Sequence, residues 1–229
     1  MDSAQLWQGM KKAGAVWEHP GDPRAPHVVL RSERHSDGFV DTLQFLSGVV
    51  DLGIAAQTLA TKLRRKLGIK IDWVFGSPMA GVPFATAVAL HLGATRVGFN
   101  EKVKGSDTNL ICRFDVQSGD NFLIIEEMTT RGATPQRGIE AVLGKNPEAI
   151  DLDVVGAFLI RCDARPPELL GRELISLISL PELGVRYNEW DKADCPLCTA
   201  GSRPIPNCKR VWRNLLQTMK EPAFTFTIE

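Results

Sequence analysis

Hydrophobic positions along this chain follow two different rhythms, and the change between them marks its organisation. Leu6, Met10, Ala13 and Trp17 recur three or four residues apart after Ser3, which predicts an opening amphipathic helix capped by Ser3. The stretch HPGDPRAP (19–26) cannot extend that helix, because three prolines and a glycine break its geometry. A short apolar strand, HVVLR (27–31), and a tight polar segment, SERHSDG (32–38), come next. Leu52, Ala55, Leu59, Leu63 and Leu67 then line one face of a second helix, which stops at Gly68.

From residue 70 the rhythm changes. IDWVFG (71–76), TRVGF (95–99), NFLIIEE (121–127) and DVVGAFLI (153–160) read as strands, and VPFATAVALHLG (82–93) and TPQRGIEAVLG (134–144) as helices. Strand and helix alternate, and the strands are continuously apolar. That predicts an α/β fold around a central parallel sheet buried on both faces and flanked by helices. From Pro181 turn residues are dense and a C-P-L-C pair appears, so the last stretch reads as a small C-terminal extension. The expected division is 1–68, 69–180 and 181–229, within one compact domain.

Composition narrows the field. A chain of 229 residues suits one α/β domain with an appended piece. Its 27 Lys and Arg balance 27 Asp and Glu, which argues against a protein that coats nucleic acid, since that needs a surplus of cations. The 44% hydrophobic content excludes a mostly disordered chain. Its longest weakly polar stretch, 82–90, is too short to span a bilayer, so no membrane partner is expected. MDSAQLWQGMKK carries no basic-then-apolar leader, and five cysteines is an odd number. Both point to a cytoplasmic protein with reduced thiols.

The candidate chemistry centres on NFLIIEEMTTRGAT (121–134). Four apolar residues from Phe122 to Ile125 form a buried strand that ends in Glu126 and Glu127. Ligands of open parallel sheets bind just beyond the strands' carboxyl ends. Thr134 is a good helix cap and Pro135 suits a first turn, so a hydroxyl- and glycine-bearing loop feeds a helix N-terminus. Such an end favours a phosphate, whereas the carboxylates would repel one and suit neutral hydroxyls. A sugar diol carrying a phosphate fits both halves. The competing reading is a solvated turn.

In this segment the chain resembles the type I phosphoribosyltransferases, whose signature is an apolar strand, two acidic residues and a T-x-G-x-T-like loop. HVVLRSERHSDGFVDT (27–42) resembles the N-terminal hood of the orotate phosphoribosyltransferases. VFGSPMAGVPFATAVALHLG (74–93) is similar to the pyrophosphate loop and its following helix, and FDVQSGDNFLIIEE (114–127) to the approach to the phosphoribosyl motif. CPLCTAGS (195–202) resembles a C-terminal feature of one bacterial and archaeal branch.

The resemblance implies the type I phosphoribosyltransferase fold, usually as a homodimer. The implied reaction moves ribose 5-phosphate from phosphoribosyl pyrophosphate, bound with Mg²⁺, to orotate. Glu126 and Glu127 would hold the ribose diol, and Thr130, Arg131, Gly132, Ala133 and Thr134 the 5-phosphate. Ser77, Pro78, Met79, Ala80 and Gly81 would wrap the pyrophosphate, with Lys102 and Lys104 facing it. Phe39 would stack on the base, or serve as a core aromatic, and Arg161 would grip the orotate carboxylate, or sit solvated at a strand end.

Departures from the pattern leave alternatives open. Glu127 stands where the family usually has Asp, Arg131 where it has a small residue, and Glu33 where the hood has glycine. The catalytic loop EKVKGSDTNLICRF (101–114) has no histidine. A transferase acting on another base, or a non-catalytic homologue that binds phosphoribosyl pyrophosphate or a nucleotide, would tolerate these changes. Cys195 and Cys198, with Cys208, offer three ligands where a structural zinc wants four, and all four histidines lie at or before residue 91. The sequence therefore favours reduced thiols packing a turn, and no metal ligand is assigned.

Overall fold

The computed structural model describes residues 1–106, 108–130, 132–161 and 171–227. In chain order its first elements are α1 (Ser3–Lys12), β1 (Val16–Glu18), β2 (His27–Val29), β3 (His35–Ser36), β4 (Gly38–Val40), α2 (Thr42–Leu46) and α3 (Val49–Leu67). The alternating region follows as β5 (Trp73–Gly76), α4 (Gly81–Leu92), β6 (Arg96–Lys102), β7 (Leu110–Cys112), β8 (Asn121–Thr129), α5 (Ala133–Lys145), β9 (Ile150–Ile160) and β10 (Glu173–Ser179). The chain ends in β11 (Glu189–Trp190), α6 (Pro196–Thr199), β12 (Pro204–Ile205) and α7 (Trp212–Thr218). Contacts group these into one unit of Met1–Gln8 with Leu46–Gly184, and a second of Gly9–Phe45 with Val185–Glu229.

The first unit holds a six-stranded sheet in the order β10-β9-β8-β5-β6-β7. Its pairings are parallel throughout except at β7, which turns back antiparallel beside β6. The expected central parallel sheet with flanking helices is borne out. Continuous apolarity has the expected cause: Phe122, Leu123, Ile124 and Ile125 are all buried, because side chains of both strand faces meet helices. Trp73, Phe75, Phe122 and Ile124 pack with Ile139 and Val142 of α5. On helix α3, Leu59 and Leu63 are fully buried, and the helix ends at Gly68 with a φ of 58°, which suits glycine. The chain order reverses between β5 and β8, so their carboxyl ends flank the crevice where such sheets take ligands.

Strand β10 escaped the sequence reading. ELISLIS has apolar residues at both parities, yet it is an edge strand buried only at its C-terminal half. The opening helix is also shorter than its periodicity suggests. It ends at Lys12, Gly14 turns at a φ of 67°, and Trp17 sits fully buried in β1, opposite Phe39. Its cap is Asp2 rather than Ser3. The Asp2 carboxylate accepts from the Gln5 amide at 2.8 Å, and the Gln5 side chain accepts from the Asp2 N–H at 3.0 Å. The Ser3 hydroxyl instead donates to the Leu177 carbonyl at 2.6 Å.

The second unit is built from the two chain ends. Strands β11-β3-β2-β12 form a small sheet, so the segment after residue 184 supplies two strands beside the two from residues 27–36. Trp17, Val28, Leu30, Ile205, Trp212 and Leu215 form its core. The Trp212 indole N–H donates to the Gly14 carbonyl at 2.8 Å, which satisfies its polar edge. Among the described residues, no helix is long and apolar enough to cross a membrane.

Candidate functional site

The carboxyl ends of β5 and β8 lie side by side, with Gly76 in register with Ile125. Two features follow from that adjacency. Gly76 has no room for a side chain, since a Cβ there would lie 2.8 Å from the Val82 Cα and 2.9 Å from the Ala85 Cβ. Helix α4 therefore starts tight against the strand end, and the turn 77–81 is drawn over the end of β8. The Ser77 N–H donates to the Ile125 carbonyl at 3.1 Å, and the Pro78–Met79 peptide is cis.

The paired carboxylates meet this turn. Glu126 is buried and accepts a short hydrogen bond from the Ser77 hydroxyl through Oε2. Glu127 is half-buried, and its Oε2 lies 3.3 Å from where a Gly81 Cβ would stand. Burial first, and the negative charge of Glu127 next, push the Glu126 carboxyl well above the ordinary carboxylate range, while the Ser77 bond opposes them. Both effects favour the protonated acid at Glu126, and an arriving cation or hydroxyl donor would favour its ionised form instead.

Beyond β8 the chain forms the expected loop and helix start, with one correction. The cap of α5 is Gly132, at a φ of 81°, and the helix begins at Ala133, so Thr134 lies inside the first turn. The Thr129 hydroxyl accepts from the Gly132 N–H at 3.1 Å and holds the loop closed. Intrahelical bonding resumes with the Gln136 N–H on the Gly132 carbonyl at 3.1 Å. The N–H groups of Ala133 and Thr134 have no acceptor within the helix and form the positive end of its dipole. Thr130 is exposed, and Arg131 lies outside the described residues.

Other expected site residues share the edge without joining the pair. Pro78 and Ala80 are half-buried on the turn, and Met79 is exposed. Lys102 ends β6 in register with Leu110, and Lys104 follows in the connection to β7; both are exposed. The Arg161 N–H donates to the Thr129 carbonyl at 3.0 Å, which seats it where β9 leaves the sheet beside β8. Phe39 belongs to the second unit. There it packs edge-on against Trp212 at 5.8 Å between centroids and borders a pocket of about 870 Å³.

That unit contains a constellation the sequence reading missed. His27 Nε2, His35 Nδ1 and the Sγ atoms of Cys195 and Cys198 all lie within 4.8 Å of one another. The antiparallel pairing of β2 with β3 sets Val29 opposite His35, so His27 and His35 are diagonal neighbours on one face. The motif C-P-L-C spans the first turn of α6 and adds its two thiols. Cys208 is not among them. It sits in the apolar cluster of the unit, where burial pushes its thiol up to about 11. Burial, and then the neighbouring His35, pushes His27 down to about 4, so its ring is neutral at physiological pH. The four described cysteines are free thiols; Cys162 lies outside the described residues.

No protein-family model matches the chain. It is 34% identical over 116 residues to an orotate phosphoribosyltransferase of Thermococcus gammatolerans, covering 51% of this chain and 61% of that one, less than two thirds of its length. It is 29% identical over 215 residues to the orotate phosphoribosyltransferase of Wolinella succinogenes, covering 90% of this chain and 97% of that one. The crystal structure of orotate phosphoribosyltransferase from Aeropyrum pernix matches with a TM-score of 0.62 at 22% identity, over 78% of this chain and 98% of that one. The chain has the type I phosphoribosyltransferase fold and is similar in sequence to orotate phosphoribosyltransferases.

Proposed function

We propose that this phosphoribosyltransferase homologue transfers ribose 5-phosphate from phosphoribosyl pyrophosphate to orotate, giving orotidine 5-phosphate and pyrophosphate. The observation that carries this reading is the Glu126–Glu127 pair, in which Glu126 is buried and bonded to Ser77 across the strand ends, followed directly by a helix start with open N–H groups. Ionised, the two carboxylates accept hydrogen bonds from the ribose hydroxyls. The amides of Ala133 and Thr134, the Thr130 hydroxyl and the Arg131 guanidinium take the 5-phosphate. Backbone groups of 77–81, with Lys102 and Lys104, take the diphosphate, and Arg161 takes the base's carboxylate.

The reaction needs no protein nucleophile. A base nitrogen attacks the anomeric carbon and gives up its proton to solvent, the bond to the diphosphate oxygen breaks, and its electron pair leaves with pyrophosphate. The sugar carbon becomes cation-like on the way, as in glycosidic cleavage, so fixed carboxylates nearby favour the transition state. Lys102 offsets charge on the leaving group. Hard carboxylate oxygens strained by a like neighbour suit Mg²⁺, which would arrive with the substrate and neutralise diphosphate charge there. The resemblance supports a cytoplasmic homodimer as the working form.

The test is pyrophosphate release from phosphoribosyl pyrophosphate and Mg²⁺ across a panel of bases. Release with orotate and not with adenine, guanine or uracil is expected. Release with another base alone would reassign the acceptor. Tight binding without release from any base would make the protein a sensor of the sugar diphosphate rather than a transferase.

A further inference from the structure

The cluster of His27, His35, Cys195 and Cys198 plays no part in the proposed transfer. Three of the four are buried and Cys198 is half-buried. His27 Nε2 lies 2.8 Å from His35 Nδ1, 3.5 Å from the Cys198 sulfur and 3.7 Å from the Cys195 sulfur, while His35 Nδ1 lies 3.3 Å from the Cys198 sulfur. Zinc bonds of about 2.0–2.1 Å to nitrogen and about 2.3 Å to sulfur, at tetrahedral angles, separate nitrogen from sulfur by about 3.5 Å. The three nitrogen–sulfur separations of 3.3, 3.5 and 3.7 Å are already near that size, and the two nitrogens, 2.8 Å apart, must part by roughly half an ångström.

A further contact aims His27 at the centre. The Ser202 hydroxyl donates to the Ala25 carbonyl at 2.6 Å, so its oxygen must accept from the His27 Nδ1 at 2.8 Å. That puts the His27 proton on Nδ1 and leaves the Nε2 lone pair facing the other three donors. Such an outer hydrogen bond is the usual device for orienting a histidine ligand.

We propose that these four residues bind one Zn²⁺ in a closed structural site that fastens the β2–β3 hairpin to the Cys195–Cys198 turn. Two imidazoles and two thiolates are the donor set this ion favours, and no position remains for water. Two thiolates offset the ion's charge, so the buried centre carries none. His35 also lines the pocket of about 870 Å³ together with Arg31, Glu33, Phe39 and Lys192, so the metal would hold one wall of it. The inference stands apart from the transferase reading, since no residue is shared.

The experiment starts from the full chain purified without chelator and loaded with Zn²⁺. One zinc per chain is expected, and cobalt loading of the same wild-type protein should give the intense visible bands of a tetrahedral thiolate site, which requires no variant to fold. Cys208→Ser should keep one zinc, and Cys198→Ser should lose it. Ser202→Ala should weaken zinc by about 10–100-fold in chelator competition and keep the cobalt spectrum. The proposal is overturned if wild type holds no zinc after loading, if the cobalt spectrum is that of an octahedral oxygen site, or if Cys208→Ser loses the metal while Cys198→Ser keeps it.

Discussion

The acid pair at the end of β8 and the histidine–cysteine cluster both bury titratable groups, but burial acts on them in opposite senses. At Glu126 it favours the protonated acid, and the like charge of Glu127 adds to the effect. At His27 it favours the free base, whose lone pair faces two sulfurs. The first arrangement is uncomfortable when ionised and is relieved by whatever brings positive charge or hydroxyl donors to it. The second offers neutral nitrogen and soft sulfur to an ion that stays. One region thus suits a hard cation that comes and goes with substrate, and the other a resident metal.

The contrast can be broken most severely at the acid pair. Glu126→Gln with Glu127→Gln should weaken phosphoribosyl pyrophosphate by about 3–6 kcal/mol, at about 1.5–3 kcal/mol for each charged hydrogen bond lost. The double variant should stay folded, since it removes a strained pair. Calorimetry showing unchanged affinity would end the diol role.

Metal withdrawal separates the regions next. Omitting Mg²⁺ should stop turnover and leave the melting temperature where it was. A zinc-selective chelator should lower stability by about 4 kcal/mol if free zinc stood at a thousand times its Kd, which is roughly 8–16 °C for a chain of this size. Melting curves that respond to Mg²⁺ and ignore the chelator would reverse the assignment of the two metals.

Smaller effects sharpen the geometry. Gly76→Ala places a methyl against the backbone of α4 and should cost about 1–3 kcal/mol in denaturant unfolding. A neutral result would mean the strand end and helix separate more easily than their contact suggests. Thr129→Val removes the acceptor for the Gly132 N–H and should weaken ribose 5-phosphate by about 0.5–1.5 kcal/mol. Equal affinities for the variant and wild type would show that the loop keeps its shape without that bond.

The same two regions show what a single sequence discloses. Residues 121–134 are contiguous, and strand, acids, loop and helix start follow one another directly along the chain. Periodicity and local chemistry were enough there, apart from the cap, where Gly132 at positive φ displaced Thr134. The cluster has no such continuity. His27 lies 168 residues before Cys195 and 171 before Cys198, and the pairings of β2 with β3 and β12 bring the two stretches into one sheet. The histidines' early position in the chain hides them as partners of the thiols, because the sheet brings residues 27–36 and 204–205 together. An available signal was the spacing of His27 and His35 about a tight polar turn, which as a hairpin sets both rings on one face. Strand β10 was lost for a different reason: an edge strand partly open to solvent has neither continuous apolarity nor clean alternation.

The most direct test of the account follows the Glu126 proton. Because the folded carboxyl titrates above its unfolded value, the stability it contributes to the free protein is full below the unfolded pKa and is lost as pH rises through the folded one. Binding of the magnesium complex of phosphoribosyl pyrophosphate draws the ionised form, so its affinity must rise with pH over that same range. Calorimetric titration in buffers of different ionisation heat reads the proton directly. The account predicts binding accompanied by release of a proton in wild type, and none released by Glu126→Gln. Binding with no proton release in either protein, or no binding to wild type at all, would contradict it.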